Sequence, residues 1–105
     1  MSVARVCFTF NVGVEHLDAY KEAHRNVWPE MREALSAAGW SDYSLFLRES
    51  DGLVVGYLQA DDFEAAQARM SATDVNTRWQ QEMSRLAGGR PDDSFVVLEE
   101  VFHLD

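Results

Sequence analysis

Two runs decide how this chain folds: Asp42-Tyr-Ser-Leu-Phe-Leu-Arg48 and Leu53-Val-Val-Gly-Tyr-Leu-Gln-Ala60, with Asp51-Gly52 between them. Both are short and rich in aromatic and branched residues, which suit a pleated surface, so each predicts a strand. Asp-Gly readily adopts the left-handed backbone of a tight reversal, so the two predict a hairpin. What flanks that hairpin sets the architecture.

Upstream, Val3 to Asn11 is β-branched and aromatic without a breaker and reads as a strand that Gly13 ends. From Val14 to Ala38 the period changes. Leu17, Tyr20, His24, Val27, Met31 and Leu35 recur at steps of three and four, one stripe of a helix, while most charged residues fall off it. Pro29 lacks an amide hydrogen and crowds the preceding turn, so it predicts a break there and opens a second helical stretch. Gly39 is placed to cap the end.

Downstream, Asp61-Asp62 offers an N-cap to a short helix over Phe63 to Met70. Thr73 or Asp74 then caps a helix running to about Leu86. Gly88, Gly89 and Pro91 indicate a loop, and Phe95 to Leu104 reads as the last strand. The order is strand, helix, strand, strand, helix, strand. That is an α+β, ferredoxin-like split βαβ plan: an antiparallel four-stranded sheet with helices on one face. The 105 residues form one domain, 1–105, without repeat or linker.

A sheet with one wet face alternates apolar and polar residues. The last strand does not: Phe95, Val97 and Val101 point one way, and Val96, Leu98, Phe102 and Leu104 the other. Helices cover one face only. The other is expected to pack on a second copy or to enclose a ligand, and faces this apolar in so short a chain predict a homodimer.

Eighteen acids against nine Lys and Arg give a formal charge of −9. Neither nucleic acid nor an anionic membrane suits such a surface. No apolar run approaches the roughly 20 residues of a membrane helix, and the first ten residues read as a strand rather than a signal peptide. A cytoplasmic protein is expected. The lone Cys7 excludes an internal disulfide and a cysteine-based zinc site, and reads as a core thiol.

His24 lies on the apolar stripe four residues after Tyr20, so the two share a helix face. A histidine so placed is either a satisfied core residue or, since imidazole titrates near neutrality, an acid–base group. His16 and His103 have weaker settings, one among charges and one near the C-terminus. The three histidines have no metal-ligand spacing, and there is no nucleophile elbow or phosphate-binding loop. No metal and no cofactor are expected. Tyr20, Trp28, Tyr43, Tyr57 and Trp79 present flat rings with polar tips, suited to core packing or to a small polyhydroxylated ligand.

Four segments stand in order along the chain: Tyr20-Lys-Glu-Ala-His24-Arg-Asn-Val-Trp28-Pro-Glu30, Gly39-Trp-Ser-Asp-Tyr43-Ser-Leu-Phe-Leu47, Ser71-Ala-Thr-Asp-Val-Asn-Thr-Arg-Trp79 and Leu98-Glu-Glu-Val-Phe-His-Leu-Asp105. Together they resemble the L-rhamnose mutarotase family over essentially the whole chain. The resemblance implies a dimeric α/β barrel with the sugar inside each protomer, and interconversion of the α and β anomers of L-rhamnose without a cofactor. By position it implies that His24 is the proton-donor histidine and that Tyr20 and Tyr43 contact the sugar. The family's tryptophan pair falls on Trp79 and position 80. Here Gln80 replaces the second aromatic; it can bond a hydroxyl but cannot stack. Arg25 and Asn26 also differ from versions of the motif with a proline before the Trp-Pro-Glu segment.

Two other classes share the predicted architecture. One is a dimeric-barrel monooxygenase, cofactor-free or haem-dependent, in which His24 would ligate haem. The other is a barrel that binds a small molecule without catalysis. Fold alone decides neither.

Overall fold

The computed structural model describes residues 4–87 and 95–104. Four strands, β1 (Ala4–Asn11), β2 (Ser41–Arg48), β3 (Leu53–Ala60) and β4 (Val96–Leu98), form one sheet in the order β2-β3-β1-β4. Every neighbouring pair is antiparallel. The predicted hairpin is β2–β3, and β3 lies between β1 and β2, as the split βαβ plan requires.

Local chemistry fixes the hairpin. The Asp51 carboxylate accepts from the Leu53 amide at 3.2 Å and from the Arg48 guanidinium at 2.9 and 2.6 Å. Gly52 has φ +74°, and a Cβ there would lie 2.2 Å from the Val12 carbonyl oxygen. The Val12 amide also donates to the Gly52 carbonyl at 2.9 Å. Only glycine suits both the dihedral and the approach.

The inner face of the sheet carries Val6, Phe8 and Phe10 opposite Leu58, Gly56 and Val54. Phe8, Val54 and Leu58 are wholly buried, each side chain contributing about 1.5–3 kcal/mol of apolar burial. Gly56 leaves the space that the Phe8 ring fills: a Cβ there would stand 2.3 Å from Phe8 Cζ.

Four helices cover this face: α1 (Leu17–Arg25), α2 (Pro29–Ala37), α3 (Phe63–Ser71) and α4 (Asp74–Ala87). A 3-10 turn, Val14–His16, leads into α1. The long helical stretch breaks before Pro29, as expected, with Trp28 extended and Pro29 opening α2. Gly39, at φ +99°, ends α2. Its amide reaches the Ser36 carbonyl and the Trp40 amide reaches that of Leu35, the paired bonds of a Schellman cap. Asp62 caps α3 by accepting from the Ala65 amide at 3.1 Å. Thr73, the first of the two expected candidates, caps α4 by accepting from the Asn76 amide. Arg78 ties α4 to α2 through Glu30 at 3.2 Å.

The last strand departs from its expected bounds. Ladder pairing with β1 covers only Val96–Leu98, opposite Thr9 to Cys7. Residues 99–104 form no strand, although the Arg5–Glu100 ion pair at 2.7 Å keeps them beside β1. Their apolar side chains meet no surface among the described residues: Val101, Phe102 and Leu104 are 87, 76 and 80% exposed. A strand needs a second ladder or a covered face to hold its alternation, and the rest of the described chain offers this segment neither. The loop expected at Gly88, Gly89 and Pro91 lies outside the described residues.

Candidate active site

Between the helices and the inner sheet face is a cavity of about 540 Å³, within the size range of small-molecule sites. His24 enters it from the last turn of α1, Met31 and Leu35 from α2, Tyr43 and Leu45 from β2, and Asn76, Trp79 and Gln80 from α4. Four of the five expected site residues, His24, Tyr43, Trp79 and Gln80, thus line one space. The fifth, Tyr20, is buried with its ring centroid 4.3 Å from that of His24.

His24 is held by its own helix. Its Nδ1 lies 2.8 Å from the carbonyl oxygen of Tyr20, one turn earlier. A carbonyl can only accept, so Nδ1 carries the hydrogen and Nε2 of the neutral ring keeps its lone pair. Burial lowers the His24 pKa from its ordinary value, with the Tyr20 hydrogen bond partly opposing. The ring is therefore neutral at pH 7. Trp79 meets it edge-on at 5.4 Å, and Trp28 in turn packs edge-on against Trp79 at 5.1 Å.

Both tyrosines stay protonated. Burial pushes the phenols of Tyr20 and Tyr43 well above their usual range, and the nearby Tyr20 phenol adds to the effect on Tyr43. Tyr43 as a residue is only half-buried, because its backbone lies on an edge strand; the phenol end is what the protein surrounds. Among the described residues, the Tyr20 hydroxyl is the one buried side-chain polar atom without a hydrogen-bond partner. Such a group costs free energy until something pairs with it.

Sequence reasoning passed over Asn76 and Trp40, which also line the cavity. Asn76 is buried and accepts from Gln80 Nε2 at 3.2 Å. The available signal was spacing: two carboxamides at i and i+4 share a helix face. Trp40 is buried and donates to the Ala66 carbonyl at 3.2 Å. His16, beside Glu15, and His103, on the exposed last segment, stand apart from the cavity. Among the described residues no cluster of three or more His, Cys, Asp or Glu could hold a metal.

The L-rhamnose mutarotase family model matches residues 5–104. An L-rhamnose mutarotase of Bacillus subtilis is 42% identical over 90 residues, covering 84% of this chain and 86% of its own. That of Pectobacterium atrosepticum is 34% identical over 103 residues, covering 96% and 98%. The crystal structure of an L-rhamnose mutarotase from Formosa agariphila superposes with a TM-score of 0.80 at 27% identity, covering 97% of this chain and 99% of that one. A monooxygenase from Streptomyces coelicolor superposes with a TM-score of 0.64 at 19% identity, covering 95% and 88%. At that identity the likeness shows a shared fold alone.

Proposed function

The chain belongs to the L-rhamnose mutarotase family, and from that membership we propose which of its residues act on the sugar. The enzyme is an isomerase, a sugar mutarotase that interconverts the α and β anomers of L-rhamnose. Mutarotation breaks the bond between C1 and the ring oxygen and remakes it on the other face of the carbonyl. A proton must leave the anomeric hydroxyl and one must reach the ring oxygen.

His24 is the group that moves it. The observation carrying this role is the Nδ1 contact with the Tyr20 carbonyl, which leaves a neutral Nε2 base at the cavity wall. Nε2 takes the proton of the anomeric hydroxyl. The resulting imidazolium gives it to the ring oxygen as the C1–O bond opens, leaving a free aldehyde and neutral His24. Rotation about C1–C2 and the reverse steps close the other anomer. Such a group typically contributes about 10²–10⁴-fold.

The other residues hold the sugar. Tyr20 orients His24, and its unpaired phenol receives a sugar hydroxyl. Tyr43 donates from β2, Trp79 stacks against the ring, and Gln80 with Asn76 bonds a hydroxyl. The test is saturation-transfer NMR between the anomers of L-rhamnose, with native protein and with His24→Ala. Loss of exchange in the variant is expected; unchanged exchange removes His24 from the mechanism.

The working unit of this reading is a homodimer. The outer sheet face exposes Phe46 on one edge strand and Val96 and Leu98 on the other, with Val101, Phe102 and Leu104 exposed beyond them, apolar surface of the kind that association covers. We place the enzyme in the cytoplasm, where the lone Cys7 stays reduced. No described helix is long and apolar enough to cross a membrane.

A further inference from the structure

Residues three apart on a regular strand point to opposite faces of its sheet. Trp40 and Tyr43 are three apart, yet both line the cavity, with ring centroids 5.0 Å apart and planes at 62°. The register explains how. Ser41 pairs with Gln59 and Ser44 with Tyr57, so β2 uses three steps where β3 uses two. One extra residue is absorbed between them, a β-bulge.

Asp42 sits in that bulge with φ +49°, the only described non-glycine residue with positive φ. Left-handed backbone is costly for most L-residues; Asp and Asn tolerate it best. Both flanks are anchored. Trp40 is fixed by its bond to Ala66 and by the cap that ends α2. Beyond the bulge, Leu45 and Leu47 pair with Gly56 and Val54 and pack on the core. The two anchored flanks keep their inward faces only if the bulge holds.

We propose that Asp42 is a positioning residue: its left-handed backbone turns Tyr43 onto the same cavity wall as Trp40 and so sets sugar binding through Tyr43. This rests on the reading that Tyr43 contacts the sugar. Asp42 acts through its dihedral, and its side chain is secondary: it lies exposed at the rim, with a long contact of 3.4 Å to Gln59 Nε2.

The test compares native protein, Asp42→Val and Asp42→Gly. Valine is strongly disfavoured at this φ and glycine is at ease there. Tyrosine labelled with ¹³C at Cζ follows phenol ionisation, the Tyr43 resonance being assigned through Tyr43→Phe. In native protein and in Asp42→Gly, Tyr43 is expected to stay protonated well past the usual range. In Asp42→Val it should titrate closer to its ordinary value of about 10. In anomer exchange, Asp42→Val should raise KM for L-rhamnose about tenfold with kcat within about threefold, and Asp42→Gly should restore KM to within about threefold of native. If the valine variant does not fold, Asp42→Ala, strained less at the same φ, should move both readouts the same way. An unshifted Tyr43 titration in the valine or alanine variant overturns the proposal. So does a glycine variant as impaired as valine, which would assign the effect to the carboxylate. Should native protein accelerate no exchange, the proposed activity fails, while the tyrosine titration still decides the bulge.

Discussion

The Nδ1 atom of His24 lies 2.8 Å from the carbonyl oxygen of Tyr20, across one turn of α1. One residue thereby sets the other's tautomer through the backbone. In the proposed mechanism, removing the imidazole removes the proton carrier and leaves the helix in place. His24→Ala is expected to lower kcat/KM for anomer exchange by about 10²–10⁴-fold, with the far-ultraviolet circular dichroism of the native protein. Saturation-transfer NMR measures the first.

The burial of His24 also gives the pH profile a direction. In the proposed mechanism the neutral ring is the base, and burial depresses its pKa. Exchange should therefore fall only on the acid side, with an apparent pKa below the ordinary value of about 6.5. The sign for stability is the same. The unfolded chain binds the proton more readily, so stability present above the unfolded pKa is lost as pH falls through the folded one. Urea midpoints between pH 7.5 and 5 should decline less in His24→Gln than in native protein; an equal decline would contradict the depressed pKa.

Tyr20 should separate stability from binding. Its hydroxyl is buried without a partner among the described residues, so Tyr20→Phe removes an uncompensated desolvation cost and should stabilise the fold by about 1 kcal/mol. The same change should raise KM for L-rhamnose. A destabilised variant would mean that the hydroxyl is already paired in solution.

Gly56 and Phe8 share one volume. Gly56→Ala places a methyl 2.3 Å from a wholly buried ring. The expected cost is about 1–3 kcal/mol, read as a lower urea midpoint with an unchanged slope.

The exposed outer face predicts assembly. Native protein should sediment as a dimer, and Phe46→Glu, which charges a position 64% exposed in the isolated chain, should shift it toward monomer. A native protein that sediments as a monomer at micromolar concentration removes the dimer from the reading.

Most of the architecture was legible because its punctuation is chemical. Asp51-Gly52, Pro29, Gly39, Asp62 and Thr73 each satisfy or deny particular backbone groups, and each does so where expected. The last strand was not legible to its end. Residues 99–104 have the apolar pattern of a strand, but a ladder needs a neighbour, and local sequence carries no sign of where β1's pairing stops. The site divides in the same way. His24 and Tyr20 are related by helix periodicity, so their contact could be read from spacing. Trp40 and Asn76 escaped notice. Trp40 shares a wall with Tyr43 only because a bulge between them breaks the period-two rule, and Asn76 matters only because α4 turns it toward the same space as Gln80.

All three tryptophans of the chain belong to this neighbourhood: Trp40 and Trp79 line the cavity, and Trp28 leans on Trp79. The molecule's indole emission therefore originates beside this cavity, with no remote tryptophan to dilute it. Trp79, edge-on to the His24 imidazole, is in position to be quenched when that ring is charged. The proposed site would thus report its occupancy and the protonation of His24 through the protein's own fluorescence, without a label.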